Sequence, residues 1–336
     1  MKVKILVAYH KKAPLYKNEV LVPIHVGRAV AKEKSKDGII SDGDLQWLMT
    51  HMIGDDAGDN ISHLNRIYAE LTAIYWAWKN YDKLGNPDII GLMHYRRFLQ
   101  LEECPPPEKD VLSAMGYNTK CISKLMRDVD VVARIEEPIV DPSITFFDCF
   151  QCLAKFSEQH YPELYKSYQD FIKEQKMHWG NMFIMKKEVF FDYCQTIFSI
   201  LQPYAENKNL DQTLEFKNFV KITVERSQDK QTTYNNICDE TGHIQPSFRL
   251  FGFMGEYLTS FYMDALVRNG KKVIGKPNLS LENMEATKQN LFKRTLHIGP
   301  FVIFWKKKDG IKRVLYLFGI PFFVYKSYPK SKKEKK

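Results

Sequence analysis

Short apolar runs and helical stripes alternate along the first part of the chain. Val3–Tyr9 is almost continuously apolar and closes on the polar His10, as a parallel strand buried on both faces does. Glu19–Ala29 reads as a second, shorter strand ending near Gly27, and the polar segment 32–46 reads as a loop. From Asn60 the period changes. Ile61, Leu64, Tyr68, Leu71, Tyr75 and Trp78 recur at three- and four-residue steps, which predicts one amphipathic helix. Asp59 or Asn60 can cap its start, and Gly85 and Pro87 end it. A strand, Ile89–Met93, follows at once and runs into His94-Tyr95-Arg96-Arg97.

The remaining pattern extends an α/β order. Cys121–Ile135 predicts a short helix and then a strand at Val129–Ala133. Residues 156–175 read as a helix. Met182–Met185 reads as a strand before a helix with Phe190, Cys194, Ile197 and Leu201 inward. A polar insert spans Glu206–Gln245, and a last helix closes the body near residue 270. No internal repeat is visible, and no apolar run reaches the roughly 20 residues that span a bilayer.

Charge changes this picture only at one end. The 336 residues carry a net +9, but Lys293–Lys336 holds 13 basic and 2 acidic residues, a net of +11. The body is therefore at −2, which argues against a nucleic-acid partner. The tail, residues 271–336, alternates basic blocks with apolar and aromatic ones, including Trp305, Tyr316, Tyr325 and Tyr328. Asp309-Gly310 is a hairpin signal within it. That composition suits an anionic membrane surface, with a packed hairpin and solvated lysines as the alternative. The N-terminal apolar run is too short for an export signal, so reduced thiols on the cytoplasmic face are expected. Cys149 and Cys152 form a lone Cys-x-x-Cys in an apolar stretch and read as packing residues, since no second pair follows at zinc spacing.

Five places are candidates for chemistry. The acidic loop Ile53–Ser62 sets Asp55, Asp56 and Asp59 before a helix start, where they serve either a cation and polar ligand groups or simple capping. Asp42 and Asp44 form an Asp-x-Asp, but in a polar loop rather than at a strand end, so turn chemistry explains them. Ligands of open α/β sheets gather at the carboxyl ends of strands, where the His94–Arg97 cluster falls. Guanidinium groups there can hold a diphosphate in bidentate hydrogen bonds, although strand alternation would send Arg96 and Arg97 to opposite faces. Glu256, near the start of the last helix, is either a first-turn acid or a carboxylate for an acceptor hydroxyl. Asn181 opens an apolar strand as a turn residue or a sugar contact.

The acidic loop, Glu70, Trp76, Trp78, the His94–Phe98 run, the Asn181 segment and the stretch from Phe248 to Glu256 together resemble a bacterial glycosyltransferase family. Its members sit in capsule, exopolysaccharide and lipopolysaccharide gene clusters. It was long catalogued only as a domain of unknown function, and some members are assigned galactofuranosyl transfer. The resemblance covers most of residues 3–265 and implies a GT-A-like α/β/α nucleotide-sugar-binding fold over residues 1–270. The family's motif residues Asp55, Asp56, Asn60, Asn65, His94, Tyr95, Arg96 and Arg97 are expected at the donor site together with the strand-end His10, and Asn181 and Arg249 at the acceptor site together with Trp179. Glu256 and Asp59 are the catalytic carboxylates on this reading. Two departures stand out: Tyr257 replaces a frequent Arg, and Ala69 replaces a common Cys. The expected activity is transfer of a hexose, galactofuranose or galactose, from a UDP-sugar to a lipid-linked glycan. The expected place is the inner face of the cytoplasmic membrane. The metal is left open: none, or Mn or Mg. A non-catalytic nucleotide-sugar-binding scaffold is the alternative.

Overall fold

The structure is a computed structural model that describes residues 1–34, 38–101, 112, 115–138, 158–174, 176–206, 212–245, 248–281, 296–298, 301–308, 312–317 and 320–326. It separates into two compact units, Met1–Leu279 and Ser280–Lys336. The division falls later than the composition change near residue 270, because Val273–Lys276 adds a strand to the body sheet.

That sheet is mixed. β1 (Val3–Tyr9), β2 (Leu21–His25), β3 (Ile53–Gly54) and β4 (Ile89–His94) are parallel neighbours in the order β4-β1-β2-β3. The short β5 (Arg97–Leu99) folds back on β4, and β6 is Val131–Arg134. A separate ribbon pairs β7 (Glu136–Pro138) with β8 (Lys176–His178). β9 (Phe183–Lys186) runs antiparallel between β4 and β6, and β10 (Val273–Lys276) extends β6 in parallel. The strands are apolar on both faces because both are covered. Leu6 and Ala8 of β1 join the main helical core, and the alternate Ile5, Val7 and Tyr9 are equally buried.

The helices are α1 (Asp42–His51), α2 (Asn65–Tyr68), α3 (Leu71–Lys79), α4 (Thr119–Leu125), α5 (Pro162–Glu174), α6 (Lys187–Glu206), α7 (Leu214–Arg226), α8 (Lys230–Ile237) and α9 (Leu250–Arg268). The main core joins α3, α6 and α9 to the sheet through Leu71, Ile74, Phe190, Ile197, Leu258 and Tyr262. Within the polar insert, the described residues form α7 and α8, capped by the side chains of Thr213 and Asp229.

Two local expectations give way. The stripe from Ile61 to Trp78 is not one helix. A 3-10 turn (Ser62–Leu64) and α2 stop at Ala69, whose φ of 50° breaks the helix before α3 begins. The Asn65 amide takes the Ala69 carbonyl at 2.7 Å, which helps hold the break. The supposed loop 32–46 holds the start of α1, where the Ser41 hydroxyl accepts the Asp44 N–H at 3.1 Å. Asp42 and Asp44 are thus first-turn acids that favour the helix dipole.

The C-terminal unit contains a four-stranded antiparallel sheet, in the order Leu296–Ile298, Phe301–Lys308, Lys312–Leu317, Ile320–Lys326. Lys308 lies opposite Lys312, so the strands on either side of the hairpin signal do pair, while Asp309 and Gly310 themselves fall outside the described residues. Cys149 and Cys152 fall outside them too. No described helix is long and apolar enough to cross a membrane.

Gly91, in the middle of β4, sits where a Cβ would lie 2.6 Å from the Phe183 carbonyl oxygen of β9. A backbone atom in a sheet cannot retreat as a side chain can. Gly91→Ala should therefore cost about 1–3 kcal/mol of stability, read as a lower urea midpoint with an unchanged slope.

Candidate active site

The parallel strands β2, β1 and β4 end level: Tyr9 lies opposite His25, and Ala8 opposite His94. Each strand delivers a histidine at or just past its carboxyl end, namely His25, His10 and His94. All three line a cavity of about 360 Å³.

After His94 the chain turns back. Tyr95 and Arg96 form a two-residue turn, and Arg97 pairs antiparallel with His94. The Tyr95 N–H donates to the Ala8 carbonyl at 3.1 Å, and its ring stacks on Tyr9 at 5.4 Å, which locks the turn to β1. Both arginines therefore line the cavity, contrary to the alternation of an unbroken strand. Lys11, Arg66 and Arg249 line it as well, so five fixed cations face two carboxylates, Glu70 and Glu256. Arg66 is tied to the Val30 and Glu33 carbonyls, both at 2.8 Å. Arg249 sits at the head of α9 with φ 57° and lies over the Phe253 ring.

The two carboxylates come from separate helices. Glu70 starts α3, immediately after the Ala69 break. Its carboxylate accepts from the Asn181 amide at 2.9 Å and lies 3.9 Å from His94 Nε2. Glu256, on α9, accepts from the Gly180 N–H at 3.0 Å. Burial pushes Glu256 up to about 7, with the Glu70 charge adding to the effect. The Gly180 N–H, Arg249 and Arg97 oppose it. Burial pushes His94 down; Glu70 opposes this, while Arg97, Arg96 and Arg249 reinforce it. His25 falls to about 4 through burial, then the charges of Arg28 and His10. The cavity thus joins strong positive potential to two imidazoles, His25 and His94, that burial keeps from charging, and to a carboxyl, Glu256, that burial pushes up to about 7.

A family model described as a domain of unknown function, DUF4422, matches residues 4–219. The chain belongs to the DUF4422 family. No curated protein matches it. Among solved structures, it is similar to the WbbM bifunctional glycosyltransferase in its apo structure, at 24% identity and a TM-score of 0.60. The similarity covers 84% of this chain and 46% of that one, so the DUF4422 chain spans less than half of that protein's length. The shared feature is the fold: an α/β glycosyltransferase architecture with a central, mostly parallel sheet.

Within this DUF4422 chain, the cavity gathers His10, Asn65, His94, Tyr95, Arg96, Arg97, Arg249 and Glu256 from the residues named by sequence. The acidic loop does not join them. Asp55 is fully buried, and its two oxygens accept from the Gly27 and Arg28 N–H groups and from the Ser62 and Thr72 hydroxyls. Asp56 faces Arg28. Asp59, expected to be catalytic, accepts from the Tyr75 hydroxyl at 3.3 Å, and its own carbonyl is taken by Asn80. Asn60 bonds within the loop, to the Asp56 and Gly58 carbonyls. This donor set does not fit a metal site. Among the described residues, no group of three or more His, Cys, Asp or Glu side chains is arranged to hold one.

The expected acceptor contacts divide. Arg249 reaches the cavity, Trp179 packs against the core, and Asn181 is fully buried behind Glu70. Sequence reasoning missed His25, although it ends a strand just as His94 does. It gave Glu70 no role, and Lys11 and Arg66 carried no local signal.

Asp55 is the support behind this wall of the cavity. Asp55→Ala removes a shared acceptor of four donors from a buried space, and should cost about 3–5 kcal/mol by chemical denaturation. Glu256 yields a pH test. Its folded value lies above the ordinary 4.5, so between about 4.5 and 7 the folded chain holds a proton that the unfolded chain has released. Stability must fall as pH rises through that window and level off above it. Glu256→Gln removes this component. Its stability relative to wild type should rise by at most about 1.4 kcal/mol per pH unit inside the window, and urea titrations from pH 5 to 8 measure it.

Proposed function

We propose that this chain is a glycosyltransferase that moves a hexose, galactofuranose or galactose, from a UDP-sugar to a lipid-linked glycan in surface polysaccharide synthesis. The observation that carries the reading is the cavity at the level ends of β2, β1 and β4. There five cations line a space suited to a diphosphate, and Glu256, a carboxyl that burial pushes up to about 7, lines the same cavity. The fold shared with a bifunctional glycosyltransferase supports it.

In this reading Arg96 and Arg97 hold the diphosphate, aided by Lys11, and stabilise the charge that develops as it leaves. An acceptor hydroxyl oxygen attacks the anomeric carbon. The bond from that carbon to the diphosphate oxygen breaks with its electron pair, and the hydroxyl proton passes to Glu256. Arg249 borders the acceptor side. The basic, aromatic C-terminal unit would hold the enzyme to anionic lipid on the inner membrane face, where a lipid-linked acceptor lies.

The test is release of UDP from a panel of UDP-hexoses with a lipid-linked acceptor, with and without Mn²⁺ or Mg²⁺. Release that requires acceptor supports the transferase; tight UDP binding without turnover would instead fit a scaffold. Arg96→Ala and Arg97→Ala should each lower turnover by about 10²-fold or more, the scale for losing one donor to a developing anion, with unchanged thermal melting. Full activity in both variants would remove the diphosphate role.

A further inference from the structure

The two cavity carboxylates are held by consecutive residues. The Gly180 N–H donates to Glu256 at 3.0 Å, and the side-chain amide of the next residue, Asn181, donates to Glu70 at 2.9 Å. The turn needs Gly180, whose φ is +78°. Asn181 is fully buried, and its orientation is set from behind. Its oxygen accepts from the Thr259 hydroxyl at 3.0 Å, and Thr259 in turn bonds the Tyr193 hydroxyl at 2.8 Å. With the single Thr259 proton committed to Asn181, Tyr193 is the donor to Thr259. Reversing the Asn181 amide would set its oxygen against the Glu70 carboxylate, which only accepts. The chain Tyr193–Thr259–Asn181–Glu70 therefore has one polarity, with every donor pointing at Glu70.

We propose that Gly180 and Asn181 are positioning residues that hold the two carboxylates side by side in the cavity, so that Glu70 acts on Glu256, the group that takes the acceptor proton. This rests on the transferase reading above and adds to it the device that holds the two acids. Two carboxylates in one cavity resist ionising together, so where each is held decides how strongly it acts on the other. Glu70 has the polarised Asn181 amide, with His94 beside it. Glu256 has one backbone N–H, and the charges that face it are Glu70, Arg249 and Arg97. Without the Asn181 donor, Glu70 is no longer held against Glu256, its push on Glu256 weakens, and Glu256 would ionise earlier.

Carbon-13 carboxyl NMR of the full chain, labelled at glutamate, follows the Glu256 titration with neither donor nor acceptor present. Glu256→Gln assigns the signal. Asn181→Ala and Thr259→Val should each lower the Glu256 midpoint by about one pH unit, and Thr259→Ser, which keeps the hydroxyl, should restore it. Glu70→Gln should lower it as well. If Asn181→Ala does not fold, the Thr259 pair gives the same reading. A midpoint that stays or rises in Thr259→Val, or that ignores Glu70→Gln, overturns the proposal. Because the titration needs no nucleotide, failure of the protein to bind UDP in calorimetry counts against the transferase reading alone.

Discussion

One buried carboxylate organises the approach to the cavity. Asp55 follows β3 and accepts from two backbone N–H groups beyond β2, from Ser62 ahead of α2, and from Thr72 in α3. An ionised carboxylate offers enough lone pairs for four donors, and burial makes each bond costly to lose. Gly27 is held in a left-handed turn against Asn65, where a Cβ would lie 2.4 Å from the Asn65 oxygen. The cavity wall formed by Gly27 and Asn65 is therefore the outer surface of a knot whose centre, Asp55, does not line the cavity.

A second constraint acts at the end of β4. The strand stops at His94 because the next residues turn, and the turn is fastened to β1 through Tyr95. Adjacent arginines then share one space. The break at Ala69 does similar work on the other wall. A non-glycine residue at φ 50° is strained, and such strain persists where the surroundings over-determine it. Gly252 packs so closely on Ala69 that an added Cβ would come within 2.9 Å. Glu70 begins α3 at that break and so meets Asn181 and His94.

Much of the scaffold was readable in the chain because long apolar runs and strand ends are local signals. β1, β2, β4 and β9 lie where the runs predict them, and the strand-end rule led directly to His94, Arg96 and Arg97. It applied equally to His25, which was passed over. Other features depend on contacts between distant residues. Nothing near Asp55 tells that its donors come from both sides of the loop, so its burial could not be separated from a ligand role. Asp59 and Asn60 read as possible helix caps, but the Asp59 carboxylate meets Tyr75 and only Asn60 accepts a backbone N–H, that of Ser62 at 3.1 Å; capping and catalysis look alike in one dimension. Asn181 carries a polar side chain into an apolar strand, and only its neighbours Glu70 and Thr259 explain why.

The five cations of the cavity come from the segment after β1, from α2, from the turn after β4 and from the head of α9. Folding brings them together against their mutual repulsion, with two carboxylates too few to balance them. An anion bound in such a cavity would offset that repulsion. By mass action, any anion bound at a hundred times its dissociation constant adds about 2.7 kcal/mol to the stability of the whole body. Resistance to unfolding in the cell would then follow the supply of that anion: the protein would be sturdiest when fed and most open to proteolysis when starved of it.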